Sequence, residues 1–255
     1  MDEPLIQLIQ ADLAPMPAGE TSLRGVSWSV RRGDWWVLAG PPNCGKSALL
    51  MAMGVLHPVA AGELRLFGQF ISPTMGDELA ALRRGIGLIF EGGGHLFEHA
   101  TVLENVSLPV RYHYNLEMEE AEARVQPFLE ACGLETLSGQ VTRHLSRAQR
   151  RRVTLARALV LQPEVLLLDN PVAGLDPGQV RWWRGFLSQL NAGHPALDNR
   201  AVTLVLATDD LRPWLPLAQQ FAVVRDRTLT ALGDRTELKT RHGDLLAQLL
   251  DDEPR

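Results

Sequence analysis

The chain has 255 residues, of which 45% are hydrophobic and 22% charged, an ordinary globular composition able to bury a sizeable core. That composition excludes a disordered, collagen-like or coiled-coil chain, and the length fits one large domain or two small ones. The 25 Lys and Arg against 30 Asp and Glu leave a net charge of −5, so a general electrostatic footprint for nucleic acid is absent. Cys44 and Cys132 lie far apart with no CxxC pairing, which implies neither a disulfide framework nor a zinc site and fits a reducing compartment. The longest uncharged stretch worth weighing, Ser47 to Gly62, is shorter than the roughly 18 residues a membrane span needs, and Gly54, His57 and Pro58 interrupt it. The start Met1-Asp2-Glu3-Pro4 has no basic n-region, so no signal peptide is expected. A soluble chain, or one held to a membrane by a partner, is the reading that remains.

Val26, Trp28 and Val30 alternate with polar or small residues and predict a strand; Arg31 to Asp34 turn, and Trp35 to Ala39 is a short apolar run. A Gly/Pro-rich loop follows at 40 to 45, then an apolar helix to about Leu56, stopped by His57-Pro58. Glu63 to Phe67 predicts a strand, 77 to 84 a helix, and Ile86 to Phe90 a strand. From Glu91 to Arg143 the pattern turns helical, roughly over 101 to 114 and 117 to 131, after the glycine run Gly92 to Gly94. A helix after Ser146 runs to about Leu161; Val165 to Leu168, 177 to 191 and Val202 to Ala207 then alternate strand, helix, strand. Such alternation implies a parallel α/β sheet, and the helical block reads as a subdomain inserted into it. There is no internal repeat.

Gly40-Pro41-Pro42-Asn43-Cys44-Gly45-Lys46-Ser47 fits G-x-x-x-x-G-K-[ST]; it follows a predicted strand and opens a predicted helix. The spacing serves phosphate chemistry. Gly40 and Gly45 let the backbone wrap so that its N–H groups face phosphates, and the helix N-terminus adds its dipole. Lys46 would reach the β- and γ-phosphates of ATP, and the Ser47 hydroxyl would ligate Mg²⁺. Cys44 is either a redox-sensitive thiol at a helix N-terminus or a small residue that fits the loop. Val165-Leu166-Leu167-Leu168-Asp169 supplies the carboxylate that such a site needs at the end of a neighbouring strand.

The order of these elements resembles the ATP-binding subunit of an ABC transporter over roughly residues 20 to 235. Leu145-Ser146-Arg147-Ala148-Gln149 stands where that family carries L-S-G-G-Q, followed by Arg150-Arg151-Arg152-Val153-Thr154-Leu155-Ala156-Arg157-Ala158-Leu159. Ala173-Gly174-Leu175-Asp176-Pro177 is similar to its D-loop. A narrower resemblance lies in Phe90-Glu91-Gly92-Gly93-Gly94-His95-Leu96-Phe97 and in Thr101-Val102-Leu103-Glu104-Asn105-Val106-Ser107-Leu108-Pro109-Val110, which look like the ATPases of Mce/Mla-type lipid transport complexes. The resemblance implies a P-loop NTPase core of RecA type, with an antiparallel β edge and an inserted helical subdomain. It divides 1–255 into one cassette: core 1–90 and 161–238, helical subdomain 91–160, and tail 239–255. The segment after the Q-loop faces membrane subunits in the family, so His95, Leu96 and Phe97 are either docking residues or packing within the subdomain.

This sequence departs from the family at the positions that perform hydrolysis. The Glu that follows the Walker B Asp is Asn170, a poor general base because an amide does not accept a proton at neutral pH. The switch His aligns with Asp209, the Q-loop Gln with Glu91, and two signature glycines with Arg147 and Ala148. No aromatic precedes Trp28 to stack on adenine. An extra carboxylate about 5 Å from a phosphate costs about 3 kcal/mol at an effective dielectric of about 20, which bound Mg²⁺ or a protonated Asp209 would offset. ATP binding with weak or absent hydrolysis follows; the alternative is that Glu91 replaces the missing base. Ser146 keeps the ability to cap its helix and to offer a hydroxyl to a nucleotide across a dimer interface, while Arg147 would either clash with nucleotide or bind phosphate.

The expected cofactors are therefore ATP and Mg²⁺. The metal falls to Ser47, Asp169 and Glu91, and the nucleotide to residues 40 to 48 with Ser146, Gln149 and Asp176. The implied partners are membrane permease subunits and a second ATP-binding subunit, a distinct consensus ATPase or otherwise a second copy, on the cytoplasmic face of the inner membrane. ATP would act there as structural glue. A non-transport ATP-binding regulator is the competing reading. Arg143, Arg147, Arg150, Arg151, Arg152 and Arg157 read as a solvated helix face rather than a nucleic-acid site.

Overall fold

In the computed structural model the described residues are 3–14, 22–72 and 74–251. The expectations for the Met1-Asp2 start and for residues 252–255 of the tail lie outside them. The chain opens with an antiparallel sheet and then enters a parallel one. Strands β1 (Ile6–Leu13), β2 (Val26–Val30), β4 (Val59–Leu66) and β5 (Gln69–Phe70) form the antiparallel sheet, in the order β2-β1-β4-β5. Strand β3 (Trp35–Ala39) joins β6 (Ile86–Ile89), β7 (Val165–Asp169), β8 (Thr203–Thr208), β9 (Gln220–Arg225) and β10 (Thr228–Asp234) in a second sheet, ordered β10-β9-β3-β8-β7-β6. All its pairs are parallel except β9–β10.

Eight α-helices occur among the described residues: α1 (Lys46–Met53), α2 (Asp77–Arg84), α3 (Val102–Tyr114), α4 (Met118–Ala131), α5 (Arg147–Leu159), α6 (Pro177–Ala192), α7 (Arg235–Arg241) and α8 (Gly243–Asp251). Their ends follow local chemistry. Thr101 with Glu104, and Ser146 with Gln149, close capping boxes at the starts of α3 and α5. The Asp176 carboxylate accepts from the Gly178 and Gln179 amides ahead of Pro177, the first residue of α6. Helix α1 ends three residues before Leu56, because the chain turns into the left-handed region at Val55 and the Leu56 amide folds back to the Met51 carbonyl.

Both faces of the parallel sheet are covered, which is why β3, β7 and β8 read as unbroken apolar runs. On one face Trp35, Val37, Leu166, Leu168, Leu204 and Leu206 pack in a single core with the apolar sides of α3, α4, α5 and α6. On the other, Trp36, Leu38, Leu167 and Val205 join α1 and the antiparallel sheet. Strands β1, β5, β9 and β10 and helix α7 were not among the elements expected from the sequence, whereas α8 falls in the amphipathic segment after about Leu238. In β10 only Leu232 of Thr228–Asp234 is buried, the pattern of an edge strand that obtains its partner through β9.

Asn105, within the segment Glu104–Pro109, is fully buried. Its Oδ1 accepts from the Phe97 amide at 2.8 Å, and its Nδ2 donates to the carbonyls of Phe97 at 3.1 Å and Thr101 at 3.0 Å. One side chain thus pins the turn between the Q-loop segment and α3. Asn105→Ala strands these buried groups and is expected to cost about 1–3 kcal/mol, read as a lower midpoint in urea unfolding with an unchanged slope.

Candidate functional site

Parallel register brings the ends of four strands to one edge. Ala39 of β3 is paired with Thr208 of β8, Asp169 of β7 with Ala207 of β8, and Ile89 of β6 with Leu168 of β7. The residues that follow these strands therefore converge outside the carboxyl end of the sheet, where open α/β folds hold ligands. A cavity of about 210 Å³ lies there, lined by Pro42, Asn43, Gly45, Lys46, Ser47, Glu91, Asp169, Asn170 and Asp209.

Lys46 is its centre. The ammonium donates to the carbonyls of Gly40 and Pro41, each at 2.8 Å, and is 7% exposed. Its third partner is the Asp209 carboxylate, whose Oδ1 stands 2.8 Å away. Asp209 is held from the other side: its Oδ2 accepts from Asn170 Nδ2 at 2.8 Å. Asn170 has φ 46, a left-handed conformation that Asn tolerates better than most residues, and its amide donates to the Ala207 carbonyl. The loop wraps tightly behind the lysine. A Cβ on Gly40, at φ 155, would lie 2.4 Å from the Val224 carbonyl oxygen, so no side chain fits there.

The site residues expected from the sequence divide into two groups. Lys46, Ser47, Glu91, Asp169, Asn170 and Asp209 are brought together; Gly40 and Pro41 hold the lysine, and Cys44 lies behind it with Sγ 3.7 Å from Nζ. Ala48 packs into the core beneath α1. Ser146, Gln149 and Asp176 do not line the cavity. They sit at the starts of α5 and α6, where Ser146 caps its helix as expected. Residues 15–21, within the stretch that lacks an aromatic for adenine, are outside the described residues.

One open alternative divides between residues, and one expectation is corrected. Leu96 is buried in the core, whereas His95 and Phe97 are exposed, so only those two remain open to a partner. Arg151 is not on a solvated face. It is 1% exposed, and its Nη1 donates to the Pro171 carbonyl at 2.9 Å, tying α5 to the turn after Asn170. Burial and then the neighbouring Arg147 hold its guanidinium below the usual range, with Glu91 acting in the opposite sense. The flanking signature residue Arg147 lies over the D-loop, its Nη1 2.8 Å from where a Gly174 Cβ would stand.

Comparison with known proteins agrees with this geometry. The ABC transporter family model matches residues 23–173. This chain belongs to the ABC transporter family. It is 30% identical over 247 residues to a methionine import ATP-binding protein MetN of Campylobacter jejuni, covering 91% of this chain and 71% of that protein. It is 30% identical to a spermidine/putrescine import ATP-binding protein PotA of Trichodesmium erythraeum, across 86% of this chain. The cassette spans about half the length of that relative, 54%. The ATP-binding cassette MJ0796, solved as a dimer in a post-hydrolysis state with ADP and Pi, superposes with a TM-score of 0.76 at 26% identity, covering 89% of this chain and 98% of that one. The fold also matches cbiO1 of Clostridium perfringens, with a TM-score of 0.79 over 98% of this chain and 96% of that one at 24% identity. The cassette is thus an α/β P-loop NTPase of the ABC type, and ATP is its expected ligand. No helix of the described residues is long and apolar enough to cross a membrane.

The thiol in the loop is not set up as a nucleophile. Burial, its largest influence, raises the Cys44 pKa above the ordinary value; Lys46 opposes this, and Asp209 adds to it. Cys132, wholly buried, is pushed up to about 12. A raised pKa leaves less thiolate at neutral pH. Iodoacetamide at pH 7.5 is therefore expected to label Cys44 more slowly than free cysteine, with the rate climbing as pH rises, and to leave Cys132 unlabelled until the chain is unfolded. Faster labelling of Cys44 than of free cysteine would overturn this.

Proposed function

We propose that this cassette is the nucleotide-binding subunit of a membrane transporter, taking Mg-ATP at a dimer interface and hydrolysing it weakly or not at all. The observation that carries the reading is the Asp209 carboxylate on Lys46, with Asn170 donating to it. The same lysine is held by loop carbonyls and already engages an anion, so a phosphate suits it. The residues fit the ligands the family implies: loop residues 40 to 48 hold the phosphates, and Ser47 and Asp169, with Glu91 across the same cavity, hold Mg²⁺. When bound, Mg²⁺ would neutralise phosphate charge.

Hydrolysis is another matter. Asn170 faces the cavity as a hydrogen-bond donor with no basic group to draw a proton from water. Asp209 adds negative charge beside the position where a terminal phosphate binds, the opposite of what phosphoryl transfer needs. Ser146, Gln149 and Asp176, which do not line this chain's own cavity, suit a role across an interface in a partner's site. A partner with consensus residues makes one weak site tolerable, and ATP in the weak site would then act as glue between the two chains. In this reading residues 1–255 work as one cassette, with 91–160 as its helical subdomain, on the cytoplasmic face of the inner membrane.

His95 and Phe97, with Leu108 and Tyr112 exposed one turn apart on α3, support permease docking at the helical subdomain. The lipid-class cargo rests on the sequence likeness of residues 90–97 and 101–110 to Mce/Mla-type ATPases. Gentle detergent purification of the tagged chain from its native cell, followed by mass spectrometry, is expected to recover a permease and a second ATP-binding chain. Phe97→Asp is expected to lose the permease while leaving the cassette folded. Recovery of no membrane protein by the wild type would transfer the weight to a regulator without a transporter.

Restoring the missing groups should restore turnover. In the purified complex, Asn170→Glu combined with Asp209→His is expected to raise phosphate release by about 10²-fold or more. The left-handed backbone at position 170 sets a cost of about 1–2 kcal/mol in stability for Glu there. If Glu91 were the working base, Glu91→Gln in the wild type would abolish what release there is; the expected result is no change.

A further inference from the structure

Asp209 does more than replace a catalytic group. It occupies the anion-binding side of Lys46, and the surroundings hold it there. Thr208, the last residue of β8, fixes the following turn: its Oγ1 donates to the Asp210 carbonyl at 2.8 Å and accepts from the Asp210 amide at 3.1 Å. The Asp209 backbone between them is thereby pinned, and its side chain bridges Lys46 and Asn170, each at 2.8 Å. Asn170 is itself fixed by its amide on the Ala207 carbonyl. Asp209 is 30% exposed, so the carboxylate is reachable by ligand but set in place before one arrives.

The charge around it points the same way. Among the described residues lining the cavity Lys46 is the only cation, against the carboxylates of Glu91, Asp169 and Asp209. A phosphate-loop lysine serves the β- and γ-phosphates of a nucleotide. A nucleoside diphosphate leaves the outermost anion position to the carboxylate already standing there. A triphosphate brings one more phosphate to the same lysine, displacing Asp209 from a charge-assisted contact or sharing one cation between two anions.

We propose that Asp209 makes this site selective for nucleoside diphosphates over triphosphates, standing in for the terminal phosphate on Lys46 with Asn170 as its second holder. The inference rests on the nucleotide-binding reading and gives it a direction: ADP enters with Asp209 in place, whereas ATP has to displace Asp209 or share the lysine with it. Asp209 is then a specificity-determining residue.

Titration calorimetry of the full chain with ADP and with ATP, both in excess Mg²⁺, tests this. The wild type is expected to bind ADP about tenfold more tightly than ATP, a difference equivalent to about 1.4 kcal/mol. Asp209→Asn keeps the side-chain shape and removes the charge; it is expected to tighten ATP and bring the two affinities within about twofold. Lys46→Ala is expected to abolish binding of both. Equal wild-type affinities, or a ratio that Asp209→Asn does not change, overturn the selectivity while leaving nucleotide binding intact. Binding of neither nucleotide to the wild type, or binding indifferent to Lys46→Ala, overturns the nucleotide reading itself and the selectivity with it. Should Asp209→Asn fail to fold by thermal melting, Asp209→Ala takes its place with the same expected and overturning results.

Discussion

Parallel hydrogen bonding places β8 between β3 and β7 with their carboxyl ends nearly flush, and everything at the site follows from that register. Neighbouring strands lie about 4.8 Å apart, so the residues after Ala39, Thr208 and Asp169 are obliged to be neighbours. Lys46, Asp209 and Asn170 come from three distant stretches of chain, yet they form a continuous chain of contacts across the end of the sheet. A shift of one residue in β8 would exchange its two buried faces and carry Asp209 away from the lysine. The two buried faces prevent such a shift, because Leu204 and Leu206 belong to one core and Val205 and Ala207 to the other.

The helical block is tied to that edge by polar contacts superimposed on the apolar core. Asn105 pins the turn at Phe97, Thr154 Oγ1 donates to the Gly93 carbonyl, and Arg151 bonds the Pro171 carbonyl. These three link the glutamate-bearing Q-loop segment, the signature helix and the turn after Asn170. Several residues of the segment that resembles lipid-transport ATPases therefore also have structural duties: Glu104 completes a cap, Asn105 latches a turn and Val106 fills the core. Phe97 alone of the Leu96-Phe97 pair is left outside, since Leu96 faces inward.

The side chains at 170 and 209 are physically coupled. Asp209 supplies a carboxylate for Lys46, and Asn170 supplies a donor for that carboxylate. With Glu at 170, two carboxylates would face each other across about 3 Å, a strongly repulsive pairing. The two side chains therefore suit each other, and the phosphate loop keeps its shape around an internal anion.

Much of this was legible in the sequence. The apolar runs of β3, β7 and β8, the phosphate loop between a strand and a helix, and the capping residue Ser146 are local signals, set by side-chain periodicity and by backbone groups a few residues away. The sequence also marked Asn170, Asp209 and Glu91 as departures. It did not show that Asp209 would rest on Lys46, because that contact joins residues far apart in the chain and exists only through the register of β8 between its neighbours. Edge strand β10, with one buried residue, was invisible for the same reason: its pairing with β9 is a tertiary fact. The inward turn of Leu96 and the burial of Arg151 were likewise decided by packing against elements elsewhere in the chain, which no local pattern records.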